Sequence, residues 1–241
     1  MIKCLYANGC SWTAGNEIFD PEVKDLKEAF SSVKTDSYRY YNTWPYYTAQ
    51  NLDIGLCVNE ARGATGNSRI FRKTNDFIVK WLSEGKDPKD LMIMIGWTTP
   101  ERSEIGVLDT VFPLQIQTVV NPFKREKENG YYWEKLQAFH KTFYELYSQK
   151  YWEEMQLRYM LNLRLLCKGL GIKYYDFISI GREPWYWMSM AEAKGIKIEN
   201  IYKKDIWATV ITDNNWTLHE FRHPTKETNK KWADVLTEEL K

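Results

Sequence analysis

The chain has 241 residues, and its 33 Lys and Arg stand against 32 Asp and Glu. That balance gives no electrostatic reason to expect nucleic acid or an anionic membrane as partner. No apolar run reaches the ~18 residues of a membrane span, and no basic-then-apolar leader opens the sequence, so a cytoplasmic location is the expectation. The length suits one α/β domain with insertions. Cys4, Cys10, Cys57 and Cys167 show no metal-ligand spacing and read as free thiols in a reducing compartment. The 11 Trp and 16 Tyr serve either a core with wet-edged packing surfaces or platforms for sugar rings.

Residues 2–7 form a short apolar strand, and Gly9 then allows a tight turn that leads to Ser11. Asp20 and Pro21 start a short helix as N-cap and first helical residue, with Val23, Leu26 and Phe30 as its stripe. Residues 31–43 are polar and tyrosine-rich and read as loop, 44–52 as a helix, and 56–59 as a second strand. Residues 61–68 mark a tight loop that feeds a helix. That helix has the clearest period in the chain: Ile70, Phe71, Thr74, Phe77, Ile78, Trp81 and Leu82 share one face. Gly85 and Pro88 stop it.

Residues 91–95 are continuously apolar, as in a strand buried on both faces. Residues 96–102 leave it as a loop, and 105–130 lack a steady period. Residues 132–149 and 151–168 read as two helices or one bent helix, with Trp152, Met155, Tyr159, Leu163 and Leu166 at helical spacing. Gly169 and Gly171 stop it. Residues 172–178 are a strand and 181–210 an irregular, aromatic-rich segment. Pro224 and Thr225 cap a last helix that carries Trp232, Val235, Leu236 and Leu240 on one face.

Strands that alternate with helices predict a parallel sheet covered on both sides. Ligands of such sheets bind at the carboxyl ends of the strands. Ser11, the Gly63 loop and the Gly96 loop each follow a strand, so they are expected to meet at one edge.

A serine in a turn usually makes only local hydrogen bonds. It becomes a nucleophile when a base takes its proton and donors hold the oxyanion. His140 lies inside a predicted helix, where packing explains it. His219 and His223 lie in the loop before the last helix, within reach of the sheet edge. Glu220 precedes His223 by three residues, a spacing that lets a turn bring its carboxylate to the imidazole. The Gly63 loop offers backbone N–H groups at a helix start, and Thr98 offers a hydroxyl. Each of these is, alone, equally an ordinary turn residue; their joint placement at strand ends points to a site.

Together these residues resemble the SGNH hydrolases, the GDSL esterases and lipases. Gly9-Cys10-Ser11 matches that family's Gly-Asp-Ser block, with Cys10 in place of Asp. Ala61-Arg62-Gly63-Ala64-Thr65-Gly66 matches Asn-x-Gly-x-Ser-Gly, with Gly63 in the oxyanion position. Gly96-Trp97-Thr98-Thr99 stands where Gly-x-Asn-Asp is usual, so Thr98 replaces the asparagine. Glu220-Phe221-Arg222-His223-Pro224 matches Asp-x-x-His-Pro with Glu for Asp. The stretches 67–70 and 95–102 are similar to a bacteriophage-encoded branch of the family, which implies the cytoplasm of an infected bacterial cell.

The resemblance implies a three-layer α/β/α sandwich with a central, mostly parallel sheet (flavodoxin-like, SGNH hydrolase type). It implies a single domain over 1–241, with insertions around 105–160 and 181–215. It gives Ser11 the role of nucleophile, His223 that of base and Glu220 that of acid. Ser11, Gly63 and Thr98, with Asn67 as a further candidate, form the oxyanion hole. No metal and no organic cofactor is implied. Losing one oxyanion donor costs ~10²–10³ in rate, which makes Thr98 the departure of most consequence. The expected substrate is a small acyl ester, an O-acetyl group on a carbohydrate by preference, bordered by Trp12, Trp97 and Arg69. Two rival readings use the same fold: a catalytically weakened carbohydrate-binding or interaction protein, and an acyltransferase.

Overall fold

The structure is a computed structural model of the chain. It describes residues 1–20, 22, 33–63, 65–107, 110–114, 138, 142, 148–181, 184–196, 211, 214–219 and 223–240, with the side chains of 33–35 and 103–114 outside the description. In chain order the elements are β1 (Cys4–Gly9), α1 (Ser11–Ala14), α2 (Val33–Tyr41), α3 (Trp44–Asn51), β2 (Leu56–Asn59), α4 (Asn67–Ser83), a 3-10 turn (Pro88–Asp90), β3 (Leu91–Trp97), β4 (Ser103–Val107), β5 (Thr110–Leu114), α5 (Gln149–Leu170), β6 (Lys173–Ile178), α6 (Pro184–Glu192) and α7 (Lys226–Leu240).

The central sheet has the order β2-β1-β3-β6, and every pairing in it is parallel. Alternate side chains of a strand point to opposite faces, and here both faces are covered. Tyr6, Ile93 and Ile95 pack on one side with Ile70, Ile78 and Trp81 of α4 and Leu157, Met160 and Leu163 of α5. Leu5, Ala7, Met92 and Met94 pack on the other with Trp44 of α3 and Trp232 and Leu236 of α7. Every residue of β1 and β3 is buried, as the unbroken apolar run at 91–95 predicts. The result is the expected three-layer α/β/α arrangement around a parallel sheet.

The strand order reverses between β1 and β3. Such a reversal opens a crevice at the carboxyl ends of the two strands that part there. Ser11 follows β1 and Thr98 follows β3, so the topology puts both beside that crevice.

Several elements differ from the sequence reading. Residues 33–41 are helix α2 rather than loop. Its tyrosines have no apolar period for a pattern to register; Tyr40 and Tyr41 instead meet Tyr46 of α3 ring to ring, at 6.0 and 4.9 Å between centroids. Within the stretch read as aperiodic, β4 and β5 pair antiparallel as a separate two-stranded sheet, and 115–130 lies outside the described residues. Residues 184–192 form α6, which buries Trp187 in the core while leaving Trp185 exposed.

Helix α5 is one element of 22 residues that ends at Gly171 in a left-handed conformation. Its inward stripe runs through Leu157, Met160, Leu163 and Cys167, and Leu166 faces solvent. Residues 149–160 therefore belong to the layer that covers the sheet and are not peripheral to it. The helix expected after Asp20 lies outside the described residues, although Asp20 Oδ1 does accept from the Glu22 N–H at 2.9 Å. Burial pushes the thiol of Cys4 up to about 11 and those of Cys57 and Cys167 to about 12. All four cysteines are free.

Candidate functional site

Ser11 opens α1 immediately after Cys10, the N-cap, and its residue is 8% exposed. The turn is tight because the Thr13 hydroxyl lies over the β1–β3 junction. A Cβ on Gly9 would stand 2.2 Å from Thr13 Oγ1 and 2.9 Å from the Gly96 carbonyl oxygen. Only glycine fits there, which explains physically the glycine two residues before Ser11.

The Gly63 loop is stitched onto this turn. The Arg62 N–H donates to the Gly9 carbonyl at 3.3 Å, and the Glu60 N–H to that of Ala7 at 3.0 Å. Asn59, the last residue of β2, donates through Nδ2 to the Thr13 carbonyl at 2.9 Å. Gly63 itself lies against Asn16: a Cβ there would be 2.3 Å from Asn16 Nδ2. Among the described residues, neither the Ser11 nor the Gly63 N–H has a hydrogen-bond acceptor.

His223 reaches the same turn from the far end of the chain. The 218–224 loop is pinched by a bridge between Leu218 and Pro224 and by His219 N–H donating to the His223 carbonyl at 2.8 Å. Thr225 Oγ1 then caps α7 by accepting from the Thr228 N–H at 3.3 Å. Asn229 binds α3 to the loop: its Oδ1 accepts from the Trp44 N–H at 3.1 Å, and its Nδ2 donates to the Pro224 and Thr225 carbonyls.

The imidazole meets a residue that the sequence did not single out. His223 Nδ1 lies 2.6 Å from Glu17 Oε2, and the His223 backbone N–H also donates to that oxygen at 3.3 Å. Glu17 follows α1 with a φ of 69°, a left-handed value uncommon outside glycine. No local pattern marks it, because it carries no period and its partner lies 206 residues away. Glu220, the acid expected from the Glu220-x-x-His223 spacing, lies outside the described residues, as does His140. Among the described residues no hydrogen bond joins Ser11 Oγ to His223.

The expected oxyanion residues divide. Ser11 and Gly63 come together on one turn. Thr98 is fully buried, its N–H donates to Asn67 Oδ1 at 3.0 Å, and its hydroxyl accepts from Arg102 Nη1 at 3.1 Å. Asn67 is no free donor either. Its Nδ2 faces the Thr98 carbonyl at 3.0 Å, the Thr99 carbonyl at 3.1 Å and Gln156 Oε1 at 2.9 Å, three acceptors for two protons. Asn67 and Thr98 thus hold each other and the end of β3.

The expected substrate-binding residues are also redirected. Trp97 is fully buried, and its Nε1–H donates to Asp176 Oδ2 at 3.0 Å, so it presents no face to a sugar. Trp12 belongs to the core beneath α1 at 9% exposure. Arg69 donates through Nη1 to the Glu60 carbonyl at 3.1 Å and so braces the loop between β2 and α4. Among the described residues, no group of three or more His, Cys, Asp or Glu is placed to hold a metal ion.

No protein-family model and no curated protein matches the chain. Among solved structures it is similar to that of a carbohydrate esterase whose active site displays divergent catalytic and non-catalytic binding functions. The two share 11% identity over 99% of this chain and 68% of the other, with a TM-score of 0.46. With so few residues in common, any functional reading rests on this chain's own site.

Proposed function

We propose that the chain is a serine ester hydrolase of SGNH type. One observation carries the reading. The Ser11 turn, the Gly63 loop and His223, which come from three separate parts of the sequence, converge on residues 9–17. In the proposed reaction Ser11 Oγ attacks the ester carbonyl and passes its proton to His223 Nε2. The Ser11 and Gly63 N–H groups receive the oxyanion. With Thr98 and Asn67 engaged elsewhere, the side-chain amide beside them is that of Asn16. The tetrahedral intermediate collapses, and the leaving alcohol takes the proton from His223. Water, deprotonated by His223, then attacks the acyl carbon, and Ser11 Oγ leaves with the proton that His223 returns. A carboxylate at Nδ1 keeps Nε2 free to act; the family pattern assigns that role to Glu220.

A small acyl ester suits the short turn, and an O-acetyl group on a carbohydrate is the preferred substrate, with exposed Trp185 as a ring platform. A fluorophosphonate probe tests the reading. Ser11-dependent labelling at neutral pH is expected, and its absence in the wild-type protein would sink the proposal.

A specific observation favours a second reading, a binding module that has lost turnover. Ser11 Oγ and His223 are not hydrogen-bonded among the described residues, and the residue in the asparagine position is buried. Glycan binding without hydrolysis, undiminished in Ser11→Ala, would select it. Acyl transfer to a non-water acceptor uses the same residues, and product analysis with acceptor sugars separates it from hydrolysis.

A further inference from the structure

We propose that Glu17, rather than Glu220, is the carboxylate that positions His223. The inference rests on the hydrolase reading for its purpose but on geometry for its substance. Glu17 Oε2 lies 2.6 Å from Nδ1 and also accepts the backbone N–H of the same histidine at 3.3 Å. Two contacts from one oxygen fix both the ring and the loop that carries it. The Glu17 side chain is 7% exposed and that of His223 is 21% exposed, so the pair is shielded while the ring keeps an open side. Nε2 has no hydrogen-bond partner among the described residues. A base needs this division: one nitrogen held by an acid, the other left for the nucleophile's proton.

Two further features agree. Glu17 holds a left-handed φ of 69°, and non-glycine residues persist in that region only where their surroundings impose it, often at functional sites. It also lies six positions after Ser11, beyond the same one-turn helix. The nucleophile and the acid would then share one short segment, while the base alone arrives from the carboxyl-terminal loop. The ordering of the site would depend on a contact between the two ends of the chain.

The alternative is that the pair merely ties those two ends together. The tautomer of His223 separates the cases. In the full-length wild-type protein, imidazole ¹⁵N spectra at a pH where the ring is neutral should show the proton on Nδ1. In Glu17→Ala, which removes the acceptor, Nδ1–H loses its partner and the neutral ring should no longer hold the proton on Nδ1. Fluorophosphonate labelling of Ser11 should slow by up to ~10⁴-fold, the scale of a wrong-tautomer triad. Glu17→Asp should restore the Nδ1–H form and part of the labelling rate. Circular dichroism confirms that each variant is folded.

The inference is overturned if Glu17→Ala keeps the proton on Nδ1, or if Glu220→Ala displaces it while Glu17→Ala does not. If the wild-type protein is not labelled at all, the hydrolase reading falls, and the ¹⁵N spectra still decide which carboxylate holds the ring.

Discussion

Two buried carboxylates in this molecule have opposite surroundings. Asp176, on β6, is 2% exposed and saturated. Its oxygens accept from Trp97 Nε1 at 3.0 Å, Tyr174 Oη at 3.0 Å, Arg164 Nε at 3.3 Å and Arg164 Nη2. Three of these donors fall on Oδ2 and one on Oδ1, so most of the carboxylate's accepting capacity is already used inside the protein. Burial, followed by the Asp176 charge, pushes the Tyr174 hydroxyl well above its ordinary range, which keeps it a neutral donor. Glu17, by contrast, spends one oxygen on a single histidine at the mouth of the crevice. Burial and charge are alike in the two places. Saturation distinguishes a carboxylate that holds β3, β6 and α5 together from one suited to moving a proton.

The comparison can be broken most directly at Asp176. Asp176→Ala breaks the buried pair with Arg164 and strips the Trp97 and Tyr174 donors of their acceptor, which should cost about 3–5 kcal/mol and lower the urea midpoint accordingly. Glu17→Ala should cost clearly less stability while disabling labelling. Equal losses of stability in the two variants would mean that both carboxylates are scaffold.

Asn67→Ala sharpens the same contrast on the amide side. It strips the Thr98 N–H and the carbonyls of residues 98 and 99 of their partner, and should destabilise by about 1–3 kcal/mol. A loss of Ser11 labelling with the denaturation midpoint unchanged would instead make Asn67 an oxyanion donor. Gly9→Ala should cost about 1–3 kcal/mol through overpacking against the Thr13 hydroxyl and the Gly96 carbonyl, read by thermal unfolding. A neutral result would mean that the turn before Ser11 relaxes freely. The smallest effect belongs to the thiols. Cys4 and Cys167 are buried and their thiols are held well above neutrality, so a thiol reagent at neutral pH should modify neither until denaturant is added.

Much of the scaffold was legible because burial leaves a period. The Ile70, Thr74, Ile78 and Trp81 stripe became the buried face of α4, and the apolar run at 91–95 became a strand covered on both sides. Helix α2 was not legible, since its tyrosines meet Tyr46 of α3 and carry no apolar period. The stripe of α5 was one step out of phase at Leu166, because Leu157 and Met160 face the sheet. In the site, Ser11, Gly63 and His223 were found by motif and placement, and the structure joins their loops. Trp97, Thr98 and Asn67 were singled out by motif too, and each makes hydrogen bonds that hold the frame.

The sequence by itself determined the four strands of the central sheet, helices α3, α4, α5 and α7 that cover them, the two-sided burial of the sheet and the loops that leave its carboxyl edge. These follow from local periodicity and from the few ways in which parallel strands connect. Only the tertiary structure decided which polar atoms are already engaged and which are free. Glu17 and His223 are partners because two loops from opposite ends of the chain close on one another. Asn67 holds the end of β3 because its amide protons face the Thr98 and Thr99 carbonyls. A hydrogen bond between distant residues leaves no period in either segment, so its partners are known only once the chain has folded.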